Sequence, residues 1–65
     1  MEDTKQRVFD TLKKANPLDL SIAETARLTG VSEPTANMYI RVLEAEGKIE
    51  YTRTVGRSKM FRLKT

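Results

Sequence analysis

The sequence predicts a small α+β domain in which three helices are followed by a C-terminal β-hairpin. Apolar residues recur at helical spacing up to about residue 46, whereas from residue 48 onward they alternate with a period of two. A chain of 65 residues buries only about 60% of the surface that its unfolded form exposes, so it has room for one hydrophobic core. We therefore expect residues 1–65 to form a single domain.

The first helix is predicted over residues 3–15. Asp3 is the expected N-cap, with Gln6 as its capping-box partner three residues later. The apolar residues of this segment lie at helical spacing: Val8, Phe9, Leu12 and Ala15. Pro17 disfavours helical geometry at the residue before it and ends the helix. Residues 18–20 then read as an extended piece that forms a third, very short strand.

A short second helix begins after Ser21, which forms a capping box with Glu24. It ends at Gly30, because glycine readily adopts the left-handed conformation found after helix C-termini. The apolar positions of this helix are Ile22, Ala23, Ala26 and Leu28.

The third helix is predicted over residues 32–46. Ser32 is its N-cap, Pro34 lies in the first turn where a missing N–H costs nothing, and Gly47 ends it. The expected inward stripe consists of Ala36, Tyr39, Ile40 and Leu43.

The hairpin follows from Lys48. One face carries the apolar residues Ile49, Tyr51, Phe61 and Leu63, and the opposite face, including Met60, is expected to be outward. Residues 55–58 form the turn. Since an isolated two-stranded hairpin is marginal in water, the apolar face must pack on the helices.

The composition excludes most catalytic chemistry. The chain contains no Cys and no His, so it lacks a thiol nucleophile, an imidazole base and the usual zinc ligands. Its carboxylates and lysines show no spacing that converges on a pocket, and we expect no enzyme activity, metal or cofactor. The absence of disulfides and of an apolar leader predicts a cytoplasmic protein, and no apolar run is long enough to cross a membrane.

The charges are divided unevenly along the chain. Residues 1–50 hold all nine acidic and seven basic residues, a net charge of −2, whereas residues 51–65 hold five basic and no acidic residues. The overall charge of +3 therefore comes entirely from the last fifteen residues. Such asymmetry indicates a polyanionic partner, either nucleic acid or an anionic membrane surface.

Two helices joined by a three-residue turn that contains glycine form a helix-turn-helix, whose second helix enters the DNA major groove. Ala26 lies four residues before Gly30, where the helices cross closely, and Val31 can fill the gap between them. The ordered set of residues resembles the winged helix-turn-helix domains of bacterial and archaeal transcription regulators over roughly residues 20–64. The matching positions are Ala26-Arg27-Leu28-Thr29-Gly30-Val31-Ser32, Thr35, Ile40, Leu43-Glu44, Gly47 and Ile49.

The resemblance implies that residues 32–46 enter the major groove of double-stranded DNA and that residues 52–59 form a wing on phosphate or in the minor groove. The candidate helix residues, left outward by the buried stripe, are Ser32, Thr35, Asn37, Met38 and Arg41. Asn37 can pair with adenine, Arg41 with guanine or phosphate, and Thr35 with phosphate or a thymine methyl group. The candidate wing residues are Arg53, Arg57, Ser58 and Lys59, which we expect to supply charge rather than base recognition. Met38 stands where the family often carries Arg or Lys, which predicts modest base specificity.

Several functions remain open at this point. The chain is interpreted as a small transcriptional regulator or a nucleoid-associated protein, with no evident small-molecule effector. It could form a homodimer through helix 1, if Phe9 and Leu12 reach past the core. The alternative is a protein–protein interaction module with the same fold. The layout also resembles left-handed DNA-binding domains, but residues 55–58 lack the prolines and the aromatic residue of their wing.

Overall fold

The computed structural model describes residues 3–64 and contains three helices and an antiparallel sheet. The elements in chain order are α1 (Thr4–Ala15), β1 (Leu20–Ser21), α2 (Ile22–Thr29), α3 (Glu33–Ala45), β2 (Ile49–Val55) and β3 (Ser58–Leu63). The sheet order is β1-β3-β2, so β3 is the central strand. The predicted α+β winged helix-turn-helix is therefore confirmed. The short strand is Leu20–Ser21 rather than residues 18–20.

The helix caps follow the sequence closely, with one exception. Ser21 and Glu24 form the reciprocal capping box of α2, with N···O distances of 3.1 and 3.0 Å. At α1, the Asp3 carboxylate accepts from the Gln6 backbone N–H at 3.2 Å, but the Gln6 side chain donates to Asp10 instead. The predicted capping box at α1 is thus only half formed, because Asp10 is within reach one turn further along the helix.

The inner face of α2 differs from the prediction. Thr25, Ala26 and Thr29 are buried, whereas Ala23 is exposed and Leu28 is 58% exposed. The two threonines are tolerated inside because their hydroxyl groups have partners. Thr25 Oγ1 donates to the Ser21 carbonyl at 2.8 Å, and Thr29 Oγ1 lies 2.7 Å from Thr11 Oγ1 on α1. These hydrogen bonds allow the short helix to bury two polar side chains beside Ala26.

The turn between α2 and α3 has the predicted geometry. Gly30 has a φ of 84°, and its N–H donates to the Ala26 carbonyl at 2.8 Å. The Arg7 guanidinium of α1 donates to the Thr29 carbonyl at 2.6 Å, which closes the end of α2. Ser32 caps α3 by accepting from the Thr35 N–H at 3.3 Å. These bonds set the angle at which α3 leaves α2.

The sheet contains an irregularity that the sequence pattern did not show. Tyr51 pairs with Phe61 and Arg53 pairs with Met60, so Thr52 is the extra residue of a β-bulge. Met60, predicted to face outward, is buried; it lies on the central strand, between Ser21 of β1 and Arg53 of β2. Tyr51 packs edge-on against Phe61, with ring centroids 6.1 Å apart, but remains 46% exposed.

The core is formed by α1, α3 and the three strands. Seven apolar side chains are almost completely enclosed: Val8, Leu12, Leu20, Ile40, Leu43, Ile49 and Phe61. Because Leu12 is wholly buried, the prediction that it reaches past the core to a second copy is wrong. Phe9 is half-buried, with the ammonium groups of Lys13 and Lys48 5.3 and 5.6 Å from its ring centroid. No helix within residues 3–64 has the length and apolar content to span a bilayer.

Candidate nucleic-acid interface

The exposed face of α3 is set by its buried stripe. Ala36, Ile40 and Leu43 are buried in the protein, so residues about half a turn away must face outward. Met38 and Val42, one turn apart, are 51% and 38% exposed. This face of the helix is therefore apolar at its centre and polar only along its flanks.

The wing is the part of the β2–β3 hairpin beyond the bulge. Arg53, Thr54 and Val55 pair with Met60, Lys59 and Ser58, and Gly56 and Arg57 form the two-residue turn. Gly56 has a φ of 62° while Arg57 does not have a positive φ, which is the Gly-X pattern of a type II′ hairpin turn. Arg57, Ser58 and Lys59 are all exposed at this tip.

One groove lies between α3 and the wing, with a volume of about 660 Å³. Five of the nine predicted site residues line it: Asn37, Arg41, Arg57, Ser58 and Lys59. Ser32, Thr35, Met38 and Arg53 lie outside this lining. Glu33 and Glu44 of α3 also line the groove, so its helical wall carries two carboxylates and its wing wall carries only cations.

The candidate side chains of α3 bond to one another in the free protein. Arg41 Nε donates to Asn37 Oδ1 at 3.3 Å, which aligns the carboxamide and the guanidinium along one face. Ser32 Oγ donates to Thr35 Oγ1 at 2.9 Å and so engages both hydroxyl groups at the start of the helix. Pairs of this kind hold the side chains in a defined arrangement before a ligand arrives.

The wing arginines have different surroundings. Arg53 Nε and Nη2 donate to the two carboxylate oxygens of Asp19 at 3.0 and 3.3 Å. The hydrogen bond from Arg53, followed by that from Thr52, holds the pKa of Asp19 below its usual value, and the pKa of Arg53 is raised in turn. Within residues 3–64, Arg57 and Lys59 form no ion pair.

Ion pairs elsewhere neutralise much of the body. Glu46 lies between Lys5 and Lys48, and its pKa is lowered chiefly by the hydrogen bond from Lys5. Arg62 Nη2 bonds Glu50 at 2.9 Å across the hairpin. Of the five cations in residues 51–65, two are thus matched by carboxylates on other segments. The other three, Arg57, Lys59 and Lys64, form no ion pair within residues 3–64.

Sequence reasoning missed Asp19 and Glu44 as neighbours of this surface. Asp19 was placed only in an extended piece, and its partners Thr52 and Arg53 are 33 and 34 residues away. No local signal connects such distant positions. Glu44 has the same helical phase as Asn37, which lies seven residues earlier, so the helical period could have placed it beside the groove.

Comparison with known proteins supports the geometry. The solved structure of TubR, described as a type III plasmid segregation protein, matches with a TM-score of 0.75 and 26% sequence identity. The match covers 95% of this chain and 62% of the TubR chain, so this chain spans less than two thirds of that protein. No curated protein matches the sequence significantly.

The family described as winged helix-turn-helix DNA-binding matches residues 1–50. This range includes all three helices and the beginning of β2, and it therefore contains the complete helix-turn-helix. The chain belongs to the winged helix-turn-helix family and is a DNA-binding protein.

Proposed function

We propose that the protein binds double-stranded DNA with α3 in the major groove and the wing on the phosphate backbone or in the minor groove. One observation carries this proposal: outward polar residues of α3 and exposed cations of the wing line the same groove. Arg57 and Lys59 would bind phosphates, whereas Asn37 and Arg41 would contact base edges. Ser32 and Thr35, at the start of α3, and the Ser58 hydroxyl would add contacts to phosphate, while Met38 would add apolar contact.

The cellular role we propose is that of a small transcriptional regulator or a nucleoid-associated protein that acts in the cytoplasm. In this proposal residues 1–65 form one DNA-binding domain. A regulator that reads paired half-sites needs two copies with binding surfaces about 34–36 Å apart, whereas a coating protein needs only phosphate contacts. Footprinting distinguishes the two roles. A regulator would protect a discrete site, and a coating protein would protect DNA continuously as its concentration rises.

A role in plasmid segregation is a second candidate, because the TubR structure matches nearly the whole chain. This role requires a cluster of binding sites on one plasmid. Selection of bound fragments from plasmid and chromosomal DNA tests it. Enrichment of one plasmid region would support segregation, and dispersed or promoter-proximal recovery would support the first proposal.

The binding surface itself is tested with Arg57→Ala and Lys14→Ala. Both substitutions remove one exposed cation, but Lys14 lies on α1, outside the groove. Each protein is titrated by fluorescence anisotropy against a selected duplex and a random duplex, from 50 to 200 mM salt. Arg57→Ala should reduce the magnitude of the slope of log K against log salt by about 0.9 on both duplexes, which is the value for one phosphate contact.

Lys14→Ala should leave that slope nearly unchanged. If the two variants behave alike, the wing does not bind phosphate. Wild-type affinity that does not fall with salt would contradict DNA binding through this surface and favour the protein-interaction module.

A further inference from the structure

The carboxylate of Asp19 connects two edges of the sheet that do not touch through their backbones. Asp19 precedes β1, and its side chain is only 15% exposed. It accepts three hydrogen bonds from β2: Thr52 Oγ1 at 2.6 Å, Arg53 Nε at 3.0 Å and Arg53 Nη2 at 3.3 Å. Because the strand order is β1-β3-β2, Asp19 reaches across the central strand to the opposite edge.

These bonds meet at the base of the wing. Thr52 is the bulge residue, and bulges bend a strand and increase its local twist. Thr52 Oγ1 also lies 3.4 Å from the Met60 carbonyl on β3. Asp19 therefore contacts the two residues at which the hairpin changes direction.

Beyond this point, the Thr54 hydroxyl of the wing bonds the Tyr51 hydroxyl, which lies before the bulge. The wing consists of the three residue pairs from Arg53↔Met60 to Val55↔Ser58 and the turn that joins them. Apart from Met60 its residues are exposed, so it is not held by core packing. An isolated two-stranded hairpin is marginally stable in water. The direction of this hairpin must then depend on how its base is fixed.

The same geometry changes the expected role of Arg53. Arg53 uses two of its five N–H donors on Asp19, and the carboxylate compensates the charge that would attract a phosphate. Arg57 and Lys59, further out, have no carboxylate partner within residues 3–64. Within one wing, Arg53 is therefore paired with a carboxylate, whereas Arg57 and Lys59 are not paired with any described residue.

We propose that Asp19 is a positioning residue for DNA binding: it holds Thr52 and Arg53 so that the wing tip faces the groove beside α3. In this arrangement Arg53 orients the wing and does not bind phosphate. The proposal rests on the proposed function, because it assigns the wing to DNA.

The first test uses Asp19→Asn with Asp10→Asn as the matched control. Each substitution raises the net charge by one, and Asp10 lies on α1, away from the groove. Charge alone would make both variants bind DNA more tightly. If Asp19 positions the wing, Asp19→Asn should instead bind about threefold to tenfold more weakly than Asp10→Asn, as expected when the competent wing orientation is populated only a third to a tenth of the time.

The second test compares the salt dependence of Arg53→Gln and Arg57→Gln. Arg53→Gln should weaken binding with the salt slope unchanged, whereas Arg57→Gln should reduce the slope by about 0.9. The double variant Asp19→Asn/Arg53→Gln should bind no more weakly than the worse single variant, because both changes remove the same contact between Asp19 and Arg53. A reduced slope for Arg53→Gln, or affinity of Asp19→Asn equal to or above that of Asp10→Asn, would overturn the proposal.

A measurement without DNA separates this proposal from the proposed function. Amide hydrogen exchange in residues 53–60 of the free protein should be faster in Asp19→Asn and Arg53→Gln than in wild type, and unchanged in Asp10→Asn. Unchanged exchange in all variants would refute the positioning role of Asp19, even if the wild-type protein binds DNA. If Asp19→Asn and Arg53→Gln lose protection but the wild-type protein does not bind DNA, the proposed function is refuted while Asp19 still holds the wing in place.

Discussion

The two walls of the groove have different surface chemistry. The α3 wall carries Pro34, one arginine bonded to its neighbour Asn37, and two glutamates, while the exposed apolar side chains of Met38 and Val42 lie beside the groove. The wing wall carries cations without acidic partners among the described residues. In the proposed complex the two walls would divide their tasks, with electrostatic attraction at the wing and shape and base contact at the helix.

This division has a structural reason. One face of α3 supplies buried side chains to the core, so packing constrains part of its sequence. The wing beyond the bulge supplies only Met60 to the interior and can therefore carry charge at nearly every position. Three predictions test this comparison.

The largest expected effect comes from removing the inner face of α3. Ile40→Ala should destabilise the protein by about 2–5 kcal/mol, because Ile40 is fully buried and its loss leaves a cavity. A domain of this size has only about 3–5 kcal/mol of net stability, so most of the fold should be lost. Urea denaturation followed by circular dichroism measures the change. Val42→Ala, on the exposed side of the same helix, should cost about 0.5 kcal/mol or less.

If Ile40→Ala proves as stable as Val42→Ala, then α3 is not divided into a packing face and a DNA-facing face.

A smaller effect is expected from Asn37→Ala, which alters the helical wall without altering charge. It should cost about 1–3 kcal/mol on the preferred duplex and much less on a random duplex, because a paired base contact is lost. Asn16→Ala, at the exposed end of α1, is the matched control and should bind both duplexes like wild type. Equal losses on both duplexes would show that Asn37 contributes to affinity alone, and the helix would then not read bases at this position.

The smallest effect is expected from giving α3 the charge that it lacks. Met38→Lys should increase the magnitude of the salt slope by about 0.9, because the new ammonium group can reach a phosphate. Leu28→Lys adds the same charge at an exposed position of α2 outside the groove and should leave the slope unchanged. Salt titrations of the two variants provide the measurement. Identical slopes would mean that the centre of the α3 face does not approach the DNA backbone.

The helix boundaries and the turn between α2 and α3 could be predicted because they depend on local chemistry. Ser21 and Glu24 are three residues apart, and Gly30 adopts a positive φ that other residues avoid. The predictions that failed required tertiary information. Thr29 entered the interior beside Thr11 of α1, which lies 18 residues away and satisfies its hydroxyl group.

The candidate site shows the same pattern. Helical period placed Asn37 and Arg41 on the outward side of α3, and turn chemistry placed Arg57 at the tip, next to Gly56. The pairing of Arg53 with Asp19 could not be predicted, because it joins residues 34 positions apart in sequence. The bulge at Thr52 also left no trace in the alternation of apolar residues.

The amino-acid sequence alone determined the order of helices and strands, the tight turn between α2 and α3, and the concentration of charge after residue 50. These features follow from backbone preferences and from interactions over a few residues. Only the tertiary structure decided which cations remain unpaired, where the wing bends and which residues share the groove. Those properties depend on side chains brought together by packing, and the free energy of an ion pair or a buried hydroxyl group is set by its neighbours in space rather than in sequence.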